Sequence, residues 1–212
     1  YVYYKEGKDT QPFGMSIQRD LAGGASYTNV ASLNVSKGKW TKFEAEYSVP
    51  GDEPSAPIFL YVETPYKTDD QATKDDLLSF YIDNVRVTTL GAAEVKEETA
   101  PQSGASQEVA VHEENFENST TAWVPRGNAK TAISTDTAQS GKNSFSISGR
   151  TSTWNGPILD MTGKLKSGST YKISLYVYYK EGKDTQPFGM SIQRDLSGGA
   201  SYTNVASLNV PK

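Results

Sequence analysis

The chain has no cysteine and a single histidine, His112, among its 212 residues. The first absence excludes disulfide frameworks, thiolate nucleophiles and cysteine-ligated zinc. The second excludes a multi-histidine metal site within one chain. Apolar residues make up only 36% of the sequence, and no run reaches the roughly 18 apolar residues that a membrane-crossing helix needs. Basic residues are outnumbered, 21 Lys and Arg against 25 Asp and Glu, and the net charge of −4 argues against a broad nucleic-acid surface. What is plentiful is turn-forming and aromatic: 18 Gly, 10 Pro, and 13 Tyr against 7 Phe and 3 Trp.

An internal repeat dominates the organisation. Residues 1–35 recur at 176–210 with one difference, Ala22 against Ser197. Between the copies, the stretch 91–112 is largely Ala, Glu, Ser, Gly and Gln and has no aromatic residue. Such a composition buries too little apolar surface to offset its ordering entropy, and it reads as a flexible linker. Residues 1–90 then read as the C-terminal part of one module and 113–212 as the N-terminal part of a second, near-identical one. Residues 113–210 followed by 36–90 make one complete module. Three arrangements stay open: a circularly permuted fold within one chain, half-modules completed chain to chain, or a window on a longer tandem protein.

The local pattern is strand throughout. Tyr171, Ile173, Leu175 and Val177 alternate with polar neighbours, as do Phe145 and Ile147, Phe80 and Ile82, and Phe43, Ala45, Tyr47 and Val49. Turn dipeptides fall between the runs, at Pro50-Gly51, Ser140-Gly141 and Ser167-Gly168. Many short strands at regular spacing predict an all-β fold, an antiparallel sandwich or barrel. Several outward positions are Tyr or Trp where an ordinary one-sided sheet would carry simple polar residues. Rigid, amphipathic rings suit a ligand with apolar faces and hydroxyl edges, such as a sugar. Tyr61 and Glu63 illustrate this, because they fall on the face opposite Ile58, Leu60 and Val62.

Longer words point to a family. WVPRG (123–127), RTSTWNGP (150–157) and LKSGSTY (165–171), with SYTNV at 26–30 and 201–205, LYVET (60–64) and FYIDNVRV (80–87), stand at consistent spacing. Together they resemble the family 22 carbohydrate-binding modules, xylan-binding modules of secreted xylanases, here in tandem copies. The resemblance covers nearly the whole chain outside the linker. It implies a β-sandwich of jelly-roll type, a ligand cleft on one concave sheet, a structural calcium ion and no hydrolytic activity.

Carried over residue by residue, the resemblance implies that Arg126 bonds sugar hydroxyls and Trp154 stacks on a sugar ring. Tyr202 and its copy Tyr27 would form an aromatic wall, with Tyr61 a platform and Glu63 an acceptor. Trp123 and Trp40 read as packing residues. Asn155 is left between a sugar contact and a backbone contact. For calcium, hard oxygen ligands are required, and the matching places are Glu117, Asp83 and the carbonyl of Lys142. The acidic run 69–76 lacks an EF-hand pattern and reads as a solvated loop.

The expected function is therefore binding of xylan and xylo-oligosaccharides, with mixed-linkage β-glucans as further ligands, by a secreted module that directs an attached xylanase to its substrate. No nucleic-acid or membrane partner is expected. A glycoside hydrolase would need two carboxylates roughly 5–10 Å apart, and no motif here singles out a pair. The alternative is a calcium-stabilised structural or adhesive spacer that binds no sugar.

Overall fold

Runs rich in Tyr, Phe, Val, Ile and Thr that alternate with polar residues favour extended backbone, and the computed structural model consists of strands and one short helical turn. It describes residues 2–4, 10–51, 57–90, 108–178, 188–196 and 199–208. In chain order the strands are β1 (Val2–Tyr4), β2 (Thr10–Leu21), β3 (Gly24–Ser36), β4 (Thr41–Ser48), β5 (Ile58–Glu63), β6 (Phe80–Thr89) and β7 (Val109–Glu114). They continue with β8 (Val124–Arg126), β9 (Lys130–Ser134), β10 (Ser144–Ser148), β11 (Gly156–Asp160), β12 (Thr170–Tyr178), β13 (Phe188–Leu196) and β14 (Gly199–Leu208). A 3₁₀ turn at Lys74–Asp76 lies between β5 and β6.

The strands form two sheets. One runs β1-β4-β12-β6-β10-β9, with β7 added beside β6, and the other runs β14-β13-β3-β2-β5-β11-β8. All pairings are antiparallel apart from β1 beside β12. The apolar residues of the two inner faces merge into one core, as a β-sandwich requires. Phe13 of β2 meets Phe80 of β6 with ring centroids 4.5 Å apart, edge to face, and joins the two sheets. The alternation read from sequence holds: Ile173, Leu175 and Val177 are fully buried, and their neighbours Lys172, Ser174 and Tyr176 are not.

The two parts separated by the linker are interleaved. Strands β5 and β6 come from the first part, and they pair with β11, β10, β12 and β7 from the second. Of the two repeat copies, the N-terminal one lies beside β5, with Gly14 to Arg19 opposite Glu63 to Ile58. The module read from sequence as 113–210 plus 36–90 placed the C-terminal copy there. Residues 10–36 run straight on into β4 and β5, and short connections favour neighbours in space. The C-terminal copy instead extends the sheet outward, β13 against β3 and β14 against β13.

Two further expectations need correction. The linker was drawn as 91–112, but Val109 to His112 belong to β7, where Val109 pairs with Thr89 and His112 with Val87. Alternating Val109 and Val111 is a weak strand signal that the neighbouring β6 completes; residues 91–107 of that linker lie outside the described residues. The acidic run 69–76 is not wholly solvated either. Asp76 is buried, and its carboxylate accepts from Lys67 Nζ at 2.8 Å and from the Thr73 amide at 2.9 Å. These donors hold its pKa below the ordinary range despite the opposing cost of burial.

Candidate functional site

The outer face of the second sheet carries a cleft of about 500 Å³ lined by Gln18, Tyr27, Tyr61, Glu63, Tyr66, Arg126 and Trp154. Strand register explains the gathering. Ser16 of β2 lies opposite Tyr61 of β5, Tyr61 opposite Ile158 of β11, and Gly156 of β11 opposite Arg126 of β8. Residues at alternate positions of four adjacent strands thus share one outward face.

Arg126 is the centre of the cleft. Its guanidinium carbon lies 4.1 Å from the Tyr61 ring centroid, 5.3 Å from that of Trp154 and 6.0 Å from that of Tyr27, all within cation–π reach. Its Nη1 donates to Glu63 Oε2 at 3.1 Å and to the Trp154 carbonyl. The second Glu63 oxygen accepts from the Ser16 hydroxyl at 3.1 Å. A carboxylate has about four lone-pair positions, so Glu63 retains acceptor capacity. Glu63 is the one carboxylate among the described lining residues. Its side chain is 14% exposed, and burial pushes its pKa up to about 7 against the pull of Arg126 and Ser16.

The Trp154 loop is built from buried polar contacts. Asn155 Oδ1 accepts from the Thr151 and Ser152 amides at 2.9 and 3.0 Å. This places Asn155 in the loop's own framework and decides for the backbone contact. Gly127 of the WVPRG word has φ +62°, and a Cβ there would lie 2.3 Å from Asn155 Nδ2 and 2.6 Å from Trp154 Cζ3. Glycine is needed at that position both for the backbone angle and for the approach of the indole.

The fold thus brings Arg126, Trp154, Tyr27, Tyr61 and Glu63 together, although Tyr61 and Glu63 stand more than 60 residues before Arg126 in the chain. The side chain of Tyr202, on β14, lies outside the described residues. Tyr61, expected as a platform, has Arg126 over its ring. It is only 2% exposed because Arg126 covers its ring, and burial raises its hydroxyl pKa above the ordinary range. The open aromatic surface belongs to Trp154, 39% exposed, and Tyr66, 71% exposed. Trp123 is buried in the core as expected, and Trp40 packs against Tyr178.

A family model for a carbohydrate binding domain matches residues 1–71 and 109–212. The chain belongs to the carbohydrate-binding domain family. Among the proteins it resembles are two named endo-1,4-beta-xylanase A. The one from Thermotoga maritima is 33% identical over 100% of this chain, and the one from Thermotoga neapolitana 30% identical over 98%. A third protein of that name, from Thermoanaerobacterium saccharolyticum, is 30% identical over 84% of the chain. The chain spans 18% of the length of each Thermotoga protein and 14% of the third. No solved structure matches it.

The cleft of this carbohydrate-binding domain is also shaped by side chains that sequence reasoning missed. Tyr66 and Gln18 line the cleft, and Arg150 organises it from below. Arg150 stands in the same RTSTWNGP word as Trp154; that placement was the available signal.

The expected calcium ligands also converge. Glu117 Oε1 accepts from the amides of Lys142 and Asn143 at 2.9 and 2.8 Å. Asp83 is fully buried, and its Oδ2 accepts from the Gln139 and Ser140 amides at 2.8 and 3.4 Å. Both carboxylates therefore sit on the 139–143 loop, and each adjoins a non-glycine residue with positive φ, Asn84 at 48° and Phe116 at 59°. The turn meets both carboxylates with backbone N–H donors, and the carboxylates' remaining lone pairs are oxygen ligands of the kind a hard cation takes. No group of three His, Cys, Asp or Glu side chains able to hold a metal occurs among the described residues, so backbone oxygens would have to complete the shell.

Proposed function

We propose that this domain binds xylan, that it does so without cleaving it, and that it serves to hold an attached xylanase of a secreted protein on its polysaccharide. The observation that carries the reading is the Tyr61–Arg126–Trp154 stack with Glu63 against it. An exposed indole face offers stacking to the C–H face of a sugar ring. Arg126, Glu63 and Gln18 offer donors and acceptors for hydroxyls around it. The ion pair leaves these groups jointly neutral, which suits an uncharged polymer. Hydrolysis of a glycoside calls for a pair of carboxylates, and the single Glu63 supports binding alone. The relatives' names supply the substrate class, β-1,4-linked xylose chains; mixed-linkage β-glucan is a secondary ligand on this reading. Affinity electrophoresis tests the reading: migration should be retarded in a gel containing soluble xylan, with no release of reducing sugar. Migration identical to that in a xylan-free gel overturns it and favours a spacer.

Glu63 makes the binding pH-dependent. Its folded pKa, about 7, lies above that of a free carboxyl. The stability this group contributes is therefore full below the ordinary carboxylate range and is lost as pH rises through about 7. Ligand affinity runs the other way, because the anion accepts from Arg126 and a sugar hydroxyl more strongly than the protonated carboxyl does. Affinity for xylohexaose should rise between about pH 6 and 8, and Glu63→Gln should flatten the profile. A flat wild-type profile would sink the assignment.

Calcium belongs to the same proposal, with Glu117, Asp83 and the carbonyl of Lys142 holding it. An ion there would tie β6 to the loop before β10 and so stiffen the end of the first sheet. Calcium added to chelator-treated protein should raise the melting temperature, and Glu117→Gln should remove most of that rise. Equal melting with calcium and with chelator counts against the site.

A further inference from the structure

Tyr66 is the most exposed large apolar side chain among the described residues, and it lines the same cleft as Trp154. An aromatic ring 71% open to water contributes little to the core, and burying it against a ligand is favourable. Its exposure is not that of an untethered loop. The Lys67 amide donates to Thr153 Oγ1 at 3.0 Å, and the Thr153 hydroxyl donates to the Lys67 carbonyl at 3.1 Å. On the other side of Tyr66, the Thr64 hydroxyl donates to the Asp76 carbonyl at 2.8 Å and shares the Thr153 carbonyl at 3.3 Å. The Lys67 ammonium is held by both oxygens of buried Asp76. The residues flanking Tyr66 are thus stitched to the loop that carries Trp154, so the segments bearing the two rings are held together at the cleft.

We propose that Tyr66 forms an additional sugar-stacking subsite beside Trp154, extending the length of polysaccharide that the cleft grips. The inference rests on the polysaccharide-binding reading above and adds to it a residue and a chain-length preference. With the flanking residues already held, seating a sugar on the ring orders only the Tyr66 side chain and not the segment that carries it. Its contribution appears only with ligands long enough to reach past Trp154.

Isothermal titration calorimetry with xylotriose and xylohexaose tests this. The wild-type chain should bind the hexaose more tightly. Tyr66→Ala should weaken hexaose binding by about fivefold, the scale of one aromatic contact. It should leave triose binding and the melting temperature unchanged. Tyr66→Phe keeps the ring and should bind like wild type. Unchanged hexaose binding by Tyr66→Ala, or an equal loss with both ligands, overturns the subsite. Failure of the wild-type chain to bind either sugar overturns the underlying xylan reading instead.

Discussion

Replacing Arg150 by methionine should destabilise the domain by about 3–5 kcal/mol, the usual cost of removing one partner from a buried charged network. Arg150 is 5% exposed. Its Nε donates to the Asn155 carbonyl at 2.7 Å and its Nη2 to the Thr153 carbonyl at 2.6 Å and Thr64 Oγ1 at 2.7 Å. Its Nη1 reaches the Asp76 and Leu78 carbonyls at 3.0 and 3.4 Å. Methionine supplies comparable bulk and no donor, so the Asp76 and Thr153 carbonyls would keep only the Thr64 hydroxyl and the other acceptors would lose the donors that Arg150 gives them. Burial pulls the Arg150 pKa down to about 10 while Glu63 and Asp76 push it up, so the charge is balanced rather than stranded. For a chain of this size the melting temperature should fall by roughly 10 °C or more. Differential scanning calorimetry measures this, and a fall under about 3 °C would mean that the network carries little of the fold. Lysine at this position has one head group for acceptors spread over two loops, so it should rescue only in part.

Replacing Trp154 by alanine should have the opposite profile: a large loss of ligand and a small loss of stability. The indole is 39% exposed and sits at the mouth of the cleft, against Gly127 and above Arg126. Truncating a central aromatic anchor typically costs 2 kcal/mol or more, about thirtyfold in affinity. Calorimetry with xylohexaose should show at least a tenfold loss, and xylan gels should no longer retard the variant. The loop itself should stay in place, because Asn155 and Arg150 hold its backbone without the indole. A loss below threefold would move the principal stacking position elsewhere in the cleft.

Much of this architecture was legible before any coordinates. The strands announced themselves because the apolar set at Ile173, Leu175 and Val177 has the period of two that only extended backbone can bury on one face. Tyr61 and Glu63 could be assigned to the outer face by the same parity. What parity does not carry is lateral contact between distant segments. It puts Tyr61 outside the core without revealing that Arg126 closes over it. Asp76 looked like one more charge in an acidic loop because Lys67, its partner, lies outside that run. Arg150 and Tyr66 escaped notice for a related reason. A buried arginine and an exposed tyrosine both run against the ordinary preferences of their types, and only the packing around them shows why each is where it is. The weak alternation at Val109 and Val111 became a strand only beside β6.

The doubled segment bears on how the domain should be probed by substitution. Val2 and Val177 both stand opposite Ile82 in the register, and Tyr3 and Tyr178 both stand opposite Tyr81. These are corresponding residues of the two copies, brought to one address on β6. A chain built this way carries a second copy of every residue of the repeat except Ala22, which is Ser197 in the other copy. A scan that alters one copy at a time therefore always leaves a wild-type duplicate in the same molecule. Changing Tyr27 together with Tyr202, or Phe13 together with Phe188, is the design in which that backup is removed.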